Sequence, residues 1–299
     1  MSERPSAVAR AAPALFVAMW STGFIAAKLG LPYAGPFSFL AFRFTVTAAL
    51  LALVALATGA PWPRDRALVG HLAVTGLLVH AVYLGGVFYA IETGVPAGVS
   101  ALVVGLQPLL VGLLAGRLSG DRLDPLDWLG LVAGFGGVTL AVWHRLGSGF
   151  GTPAGVAANV LALLAITAGT FYQKRFGGQV DMRAGNAVQF GAAALVTAPI
   201  ALAVGEGPIR WTAAFAFAVG WSIVVLSLGA VSLLYFLIRR GSAARVSSLI
   251  YLTPPTTAVM AYAVFGETLT PWPCSAWRSP WRAWPSSTHD EADAGAPRW

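Results

Sequence analysis

Nine apolar runs, at about 12–31, 37–58, 68–90, 96–116, 126–144, 153–173, 184–204, 211–238 and 243–265, follow one another along the chain. The breaks between them are short and carry Pro, Gly and charge, as in Ala60-Pro61-Trp62-Pro63-Arg64-Asp65-Arg66. A helix needs about 20 apolar residues to cross the hydrocarbon layer of a bilayer, and the runs are of that length. The pattern therefore predicts an all-α integral membrane protein, multi-pass, with the lipid bilayer as its surroundings.

The runs also repeat. Met19-Trp20-Ser21-Thr22-Gly23-Phe24 through Lys28 aligns with Ala165-Ile166-Thr167-Ala168-Gly169-Thr170 through Lys174. Gly23 then falls on Gly169, Lys28 on Lys174 and Arg43 on Gln189, all at an offset of 146. Gly94, Val99-Ser100 and Leu102 match Gly241, Val246-Ser247 and Leu249 at 147. Gly120-Asp121-Arg122-Leu123-Asp124-Pro125 meets Gly266-Glu267-Thr268-Leu269-Thr270-Pro271 back at 146. The repeat sets the domain expectation: residues 12–144 form a first unit of five spans and 153–271 a second of four. A duplicated membrane unit is the sequence trace of a carrier that rocks between two faces.

Composition agrees, with 57% hydrophobic and 10% charged residues against about 25% charged in a soluble domain. A cleavable signal peptide is one reading of Arg4 and Arg10 ahead of an apolar stretch. The stretch runs on to Lys28 and its second copy lies mid-chain, so we read it as a retained first span. With the N-terminus in the cytoplasm, alternate connections place Arg4, Arg10, Arg64, Arg66, Arg117, Arg122, Lys174, Arg175, Arg183, Arg239, Arg240 and Arg245 inside. Only Lys28, Arg145 and Arg210 fall at or near the outside. That bias follows the positive-inside rule and accounts for a pI near 10.1 without a nucleic-acid partner, because the basic residues are scattered at helix ends rather than gathered in a patch. The one cysteine, Cys274, leaves no CxxC metal or redox motif, and the four histidines are too dispersed for a metal cluster. No cofactor is expected.

Several motifs resemble the EamA-type drug/metabolite transporters. They are the first-span Met19-Trp20-Ser21-Thr22-Gly23-Phe24 with Lys28, the second-span Phe42-Arg43-Phe44, Gln107-Pro108 in the fourth span, the Gly120-Asp121-Arg122-Leu123 turn, and the second-half copies of these. The resemblance covers roughly residues 12–271. It implies ten helices in two inverted five-helix repeats around a central cavity, alternating access, a small-molecule metabolite as partner and a place in the bacterial inner (plasma) membrane. Members often export amino acids or other polar metabolites.

The chain departs from that pattern at its end. The tenth span is expected at about 272–290, where three prolines (Pro273, Pro280, Pro285) and two arginines (Arg278, Arg282) stand within 14 residues. Proline removes backbone donors, and an arginine at a span centre costs about 2.5–3.5 kcal/mol on insertion scales. The tenth span is thus expected to be lost, leaving nine, with 272–299 an aberrant tail. Five of the eleven tryptophans lie in that tail. Tryptophan codons shifted by one base give Leu, Met or Val, so we read the tail as frameshifted; a natural extramembrane tail is the alternative.

Ionisable and polar residues inside spans are the site candidates, because in lipid they must face protein or a wet cavity. Arg43 is read either as a contact for a substrate carboxylate or a gate, or as a buried polar tie between helices; its repeat mate Gln189 keeps hydrogen bonding without charge. His80 and Tyr83 lie in the third span, where a histidine can take part in proton coupling or simply pack with hydrogen bonds. Trp20, Tyr172 and Tyr251 are candidates for stacking on a flat substrate, with core packing as the other reading. Gln107-Pro108 and Thr253-Pro254-Pro255 predict helix interruptions at matching places in the two repeats, which mark either a midplane site or kinks. Lys28 and Lys174 sit at helix ends in both copies, where snorkelling to the interface and a functional role are equally good readings, and Glu92 and Glu206 are expected to be solvated. Gly130, Gly134 and Gly137 form a small-residue face suited to a tenth span or, in a homodimer, to a second subunit.

The rival class is an intramembrane enzyme of the prenyltransferase type. Asp121, Asp124 and Asp127 have the spacing of a Mg-binding acidic motif, but a second acidic cluster facing the first is missing: the repeat offers only Glu267, on the opposite side of the membrane. No catalytic residue is assigned.

Overall fold

The computed structural model describes residues 7–118, 151–177, 180–230 and 252–267, with the single positions Leu233, Leu237 and Leu249. In the first stretch side chains are described from 11 to 114. The expected fifth span, Tyr251, the Asp121–Asp127 motif, the glycine face at 130–137 and the tail lie outside these residues.

Helix α1 (Ala7–Gly30) passes through a 3-10 turn (Leu31–Tyr33) to α2 (Pro36–Ala57). Helix α3 (Arg66–Gly76) runs through a π-helical segment (Leu77–Val82) into α4 (Tyr83–Glu92), and α5 (Ala97–Val104) is followed after a break by α6 (Gln107–Leu118). Next come α7 (Pro153–Phe176), α8 (Met182–Val204), α9 (Ala213–Trp221) with a second π segment (Ser222–Ala230), and α10 (Thr253–Phe265). Seven stretches among the described residues are long and apolar enough to cross a membrane. They fall on the first four and the sixth to eighth apolar runs, and α10 lies in the ninth.

Local chemistry sets the boundaries. Asp65, Thr152, Asp181 and Thr212 each accept a hydrogen bond from a first-turn N–H of α3, α7, α8 and α9, supplying partners that a helix start lacks. Helices α8 and α10 end on Gly205 and Gly266 with φ of 72° and 65°, the left-handed position that glycine takes without penalty.

The largest fully buried side chains are phenylalanines, and many aliphatic side chains are exposed. Phe39 meets Phe88 and Phe215 at centroid distances of 5.1 and 5.5 Å, and Phe44 meets Phe190 at 5.8 Å. Leu53, Leu56, Leu195, Leu202, Val224 and Val259 are all more than half exposed, which suits a lipid environment rather than water.

The packing follows the repeat. Helix α2 lies along its second-half equivalent α8; α1 packs on α9 as α7 packs on α3 and α4; α5 packs on α10. Gly23 of α1 faces Leu226 of the second π segment, where a Cβ would sit 3.5 Å from that side chain, and its mate Gly169 faces Val79 of the first, at 2.5 Å. The repeated glycines are thus where each half makes room for the other's π segment.

Loops gather at two ends. At one, Arg210 donates its backbone N–H to the Tyr33 carbonyl at 2.8 Å, and Thr152 donates to that of Thr93 at 3.2 Å. Glu206 belongs to this end and is not simply solvated: its carboxylate accepts the N–H groups of Phe37 and Ser38 at 3.0 and 2.6 Å and caps α2. Loop position alone suggested solvation, but α2 starts without a side-chain cap of its own, and the exposed dipole end takes the nearest anion. Lys28 is likewise held rather than snorkelling, in a salt bridge with Glu267 at 2.5 Å and over the Phe265 ring at 4.7 Å; its mate Lys174 is exposed.

At the other end, Arg183 donates to Thr58 Oγ1 at 2.7 Å. Its guanidinium also grips both Asp181 oxygens at 3.0 and 2.7 Å and holds that carboxyl down at about 2. His71 Nδ1 lies 2.8 Å from the Tyr172 hydroxyl, and its ring stacks on Phe176 at 4.0 Å.

Candidate functional site

The two π segments occupy matching positions, since Leu77 and Val82 shifted by 146 become Ile223 and Leu228, inside Ser222–Ala230. A π turn replaces i→i+4 bonds with i→i+5 bonds, leaves local backbone irregular, and recurs at functional sites. Both segments are gripped by the opposite half. Helix α8 presses on the first so closely that a Cβ on Gly76 would lie 2.2 Å from the Gln189 carbonyl oxygen. The His80 ring stacks on Phe190 at 4.0 Å and 16° and meets Phe44 at 5.9 Å.

Arg43 makes the equivalent reach from α2 to the second segment. Its Nη2 and Nε donate to Ser227 Oγ at 3.2 and 3.4 Å. Ser227 in turn donates to the Ser222 carbonyl at 3.1 Å, five residues back in the π register, so its lone pairs are left for the guanidinium. Arg43 is 6% exposed. The salt bridges among the described residues, Lys28–Glu267 and Asp181–Arg183, do not include it. Placing an arginine in mid-span costs about 2.5–3.5 kcal/mol on insertion scales, and a hydrogen bond between a charged and a neutral group returns about 1.5–3 kcal/mol. One shared hydroxyl thus offsets at most the cost of entry and leaves the charge without a counter-ion among the described residues. His80 and Tyr83 are within electrostatic reach of the same guanidinium.

Gln189, the repeat mate of Arg43, is 4% exposed and donates from Nε2 to Gln173 Oε1 at 3.0 Å. Arg43, His80 and Tyr83 therefore come together where α2 and the π segments interlock, while Gln189 is engaged with Gln173 on α7. Gln107 stands apart and donates to Thr170 Oγ1 on α7 at 3.0 Å. The expected interruptions are present in a specific form: Gln107 opens α6 and Thr253 opens α10, so Pro108, Pro254 and Pro255 sit in first turns, where a missing N–H costs nothing. The two breaks meet, because a Cβ on Gly105 would lie 2.6 Å from Pro254 Cγ. Among the described residues the Thr253 hydroxyl is buried without a partner, as are those of Thr47 and Ser222. Trp20 packs against Phe16 at 5.4 Å, and Tyr172 sits with His71 at the end of the bundle.

Ser227, Gln173 and the π geometry were not among the sequence candidates. Ser227 carries neither charge nor ring, and a lone serine draws no notice in a span.

Helices of spanning length and exposed aliphatic side chains define a multi-span α-helical membrane protein. The model of the EamA-like transporter family matches residues 12–143 and 153–274. The chain belongs to that family. It is 29% identical over 258 residues to YedA of Escherichia coli K12, named as an uncharacterized inner membrane transporter, covering 86% of this chain and 82% of that one. It is 29% identical over 272 residues to the transporter YvbV of Bacillus subtilis, covering 86% and 84%. A protein of Streptantibioticus cattleyicolor named as a probable terminal-alkyne amino-acid exporter is 27% identical over 266 residues, covering 86% and 85%. A solved crystal structure shares the fold, with a TM-score of 0.63 at 22% identity over 89% of this chain and 91% of the other. The relatives are named as transporters, and the prenyltransferase alternative gains no support from them.

Proposed function

We propose that this protein is an inner-membrane carrier that exports small polar or amphipathic metabolites such as amino acids by alternating access. Its two units, 12–144 and 153–271, are inverted repeats of five and four spans, and the N-terminus is cytoplasmic. The observation that carries the reading is the cross-repeat clamp at the π segments: Arg43 of one half holds Ser227 of the other, while His80 stacks on Phe190 in the reverse sense. A site built from both halves changes shape whenever they rock, as a midplane carrier site must. Substrate contacts are assigned to Arg43, His80, Tyr83 and Gln189, with Gln107 and Thr253 at the paired breaks. Trp20 and Tyr251 remain aromatic candidates for stacking, whereas Tyr172 is held by His71 and Phe176 at the end of the bundle and is set aside.

Orientation draws on the two ends. The end with Pro32, Glu92, Gly151 and Gly207 carries the cations Lys28 and Arg210 and the anions Glu92, Glu206 and Glu267. The opposite end carries Arg64, Arg66, Lys174, Arg175 and Arg183 against Asp65 and Asp181. The basic end is cytoplasmic under the positive-inside rule. Export by a named amino-acid exporter among the relatives supports the direction and the substrate class.

The test is a metabolite-toxicity and efflux screen in cells lacking their own exporters. Lower accumulation of an amino acid without chemical conversion supports the carrier; conversion, or unchanged accumulation of every metabolite tried, overturns it.

A further inference from the structure

Among the described residues, Arg43 is a cation built into the interior without an anion to answer it. Among the described residues its hydrogen bonds go from Nη2 and Nε to one neutral hydroxyl, Ser227 Oγ, and Nη1 is unspent. A guanidinium is always charged and presents five N–H donors in a fork that fits a carboxylate through two parallel bonds. Ser227 satisfies one side of that fork and fixes its plane. The same two elements hold unanswered polar groups: Ser222 Oγ in the π segment that carries Ser227, and Thr47 Oγ1 one helical turn beyond Arg43 on α2. Both hydroxyls are 0% exposed. Buried hydroxyls without partners are uncommon in folded proteins and ask for a ligand or water.

The repeat adds a direction to this. The position that is Arg43 in one half is Gln189 in the other, and Gln189 is already engaged with Gln173. The charge is therefore on one side of the site only.

We infer that Arg43, oriented by Ser227, is the subsite for the carboxylate of a substrate that carries a single carboxylate. The inference rests on the carrier reading and narrows its substrate class from polar metabolites to carboxylates. A dicarboxylate would meet no second cation among the described residues at this site, and an ester or amide would leave the guanidinium unanswered. Such a site rejects the analogue lacking its charge more strongly than it rejects a change of side chain.

The purified full chain in detergent tests this by thermal melting with L-propargylglycine, L-leucine and L-phenylalanine, each as free acid and as methyl ester. A ligand that binds only the folded state raises the melting temperature. At least one acid is expected to raise it by several degrees while its ester does not. Arg43→Gln, which copies the repeat mate, is expected to erase the difference between acid and ester and to weaken acid binding about thirtyfold or more, the loss that follows removal of one partner of a buried charge pair. Arg43→Lys, which keeps the charge but not the fork, is expected to retain the acid preference at lower affinity, and each variant must elute as a single folded species. Equal binding of acid and ester, an acid preference that survives Arg43→Gln, or silence with every free acid overturns the inference. Vesicle assays separate the two readings: a chain that moves a neutral amide but ignores acids keeps the carrier and loses the subsite. A chain that binds acids without moving them does the reverse.

Discussion

The Lys28 ammonium and the Glu267 carboxylate, 239 positions apart, meet at 2.5 Å. The same Glu267 oxygen accepts the Ala97 N–H at 3.3 Å, the first residue of α5, so one carboxylate joins the ends of the first, fourth and ninth apolar runs. Each partner has the other half's residue as its ligand. The pair closes one end of the bundle across the boundary between repeats.

Reversing the pair tests the closure. Lys28→Glu or Glu267→Lys alone puts like charges together and is expected to cut transport several-fold, and the double variant to restore much of it. The effect on stability should stay within about 1 kcal/mol, because the pair is partly exposed. Transport that is equally impaired in the double variant would assign both residues to binding rather than to each other.

Glu206 caps α2 from the far half, and this makes a stability prediction. Glu206→Ala removes the acceptor for two N–H groups and is expected to cost about 0.5–2 kcal/mol, read as a lower melting temperature. Glu206→Gln keeps an acceptor and should lose only the charge–dipole part, about 0.3–1 kcal/mol. Gly35→Ala should resemble Glu206→Ala, since its Cβ would fall 2.2 Å from the Glu206 Cδ.

The paired helix breaks make a transport prediction. Thr253→Val removes a buried hydroxyl that has no partner among the described residues while keeping its shape, so stability should barely change. Transport should fall several-fold if that hydroxyl serves the substrate. Gln107→Ala is expected to behave alike, with membrane abundance unchanged. Lys174→Gln, at an exposed helix end, is the control, and equal activity in all three would return the breaks to simple kinks.

Reporter fusions test orientation. Fusions after Arg66, Arg122, Arg183 and Arg245 are expected to report cytoplasm, and those near Pro32, Glu92, Gly149 and Gly207 the opposite side. Two or more reversed points would sink the inverted arrangement.

Resequencing the 3′ end of the gene tests the tail. A one-base shift restoring an apolar run at 272–290 is expected. An unshifted frame, with full transport by the 299-residue product, would show that nine spans suffice.

Much of the fold was readable because hydrophobic run length and the repeat are carried residue by residue: Gly23 and Gly169 were paired by arithmetic before either was seen to clear a π segment. Arg43 and His80 were marked by polarity in a span. Ser227, Gln173 and the Glu206 cap were not, since an ordinary polar residue becomes informative only through a partner some 16 to 184 positions away. The π register leaves no sequence trace that run length or periodicity detects, because it adds one residue to a turn without changing composition.

The cap on α2 has a consequence for the making of the protein. Ser38 leaves the ribosome 168 residues ahead of Glu206, which at bacterial rates of about 5–20 residues per second is a wait of roughly ten to thirty seconds. Lys28 waits longer still for Glu267. For that interval α2 is without its Glu206 cap and Lys28 without Glu267, so the first half gains both partners only once the later half has been made.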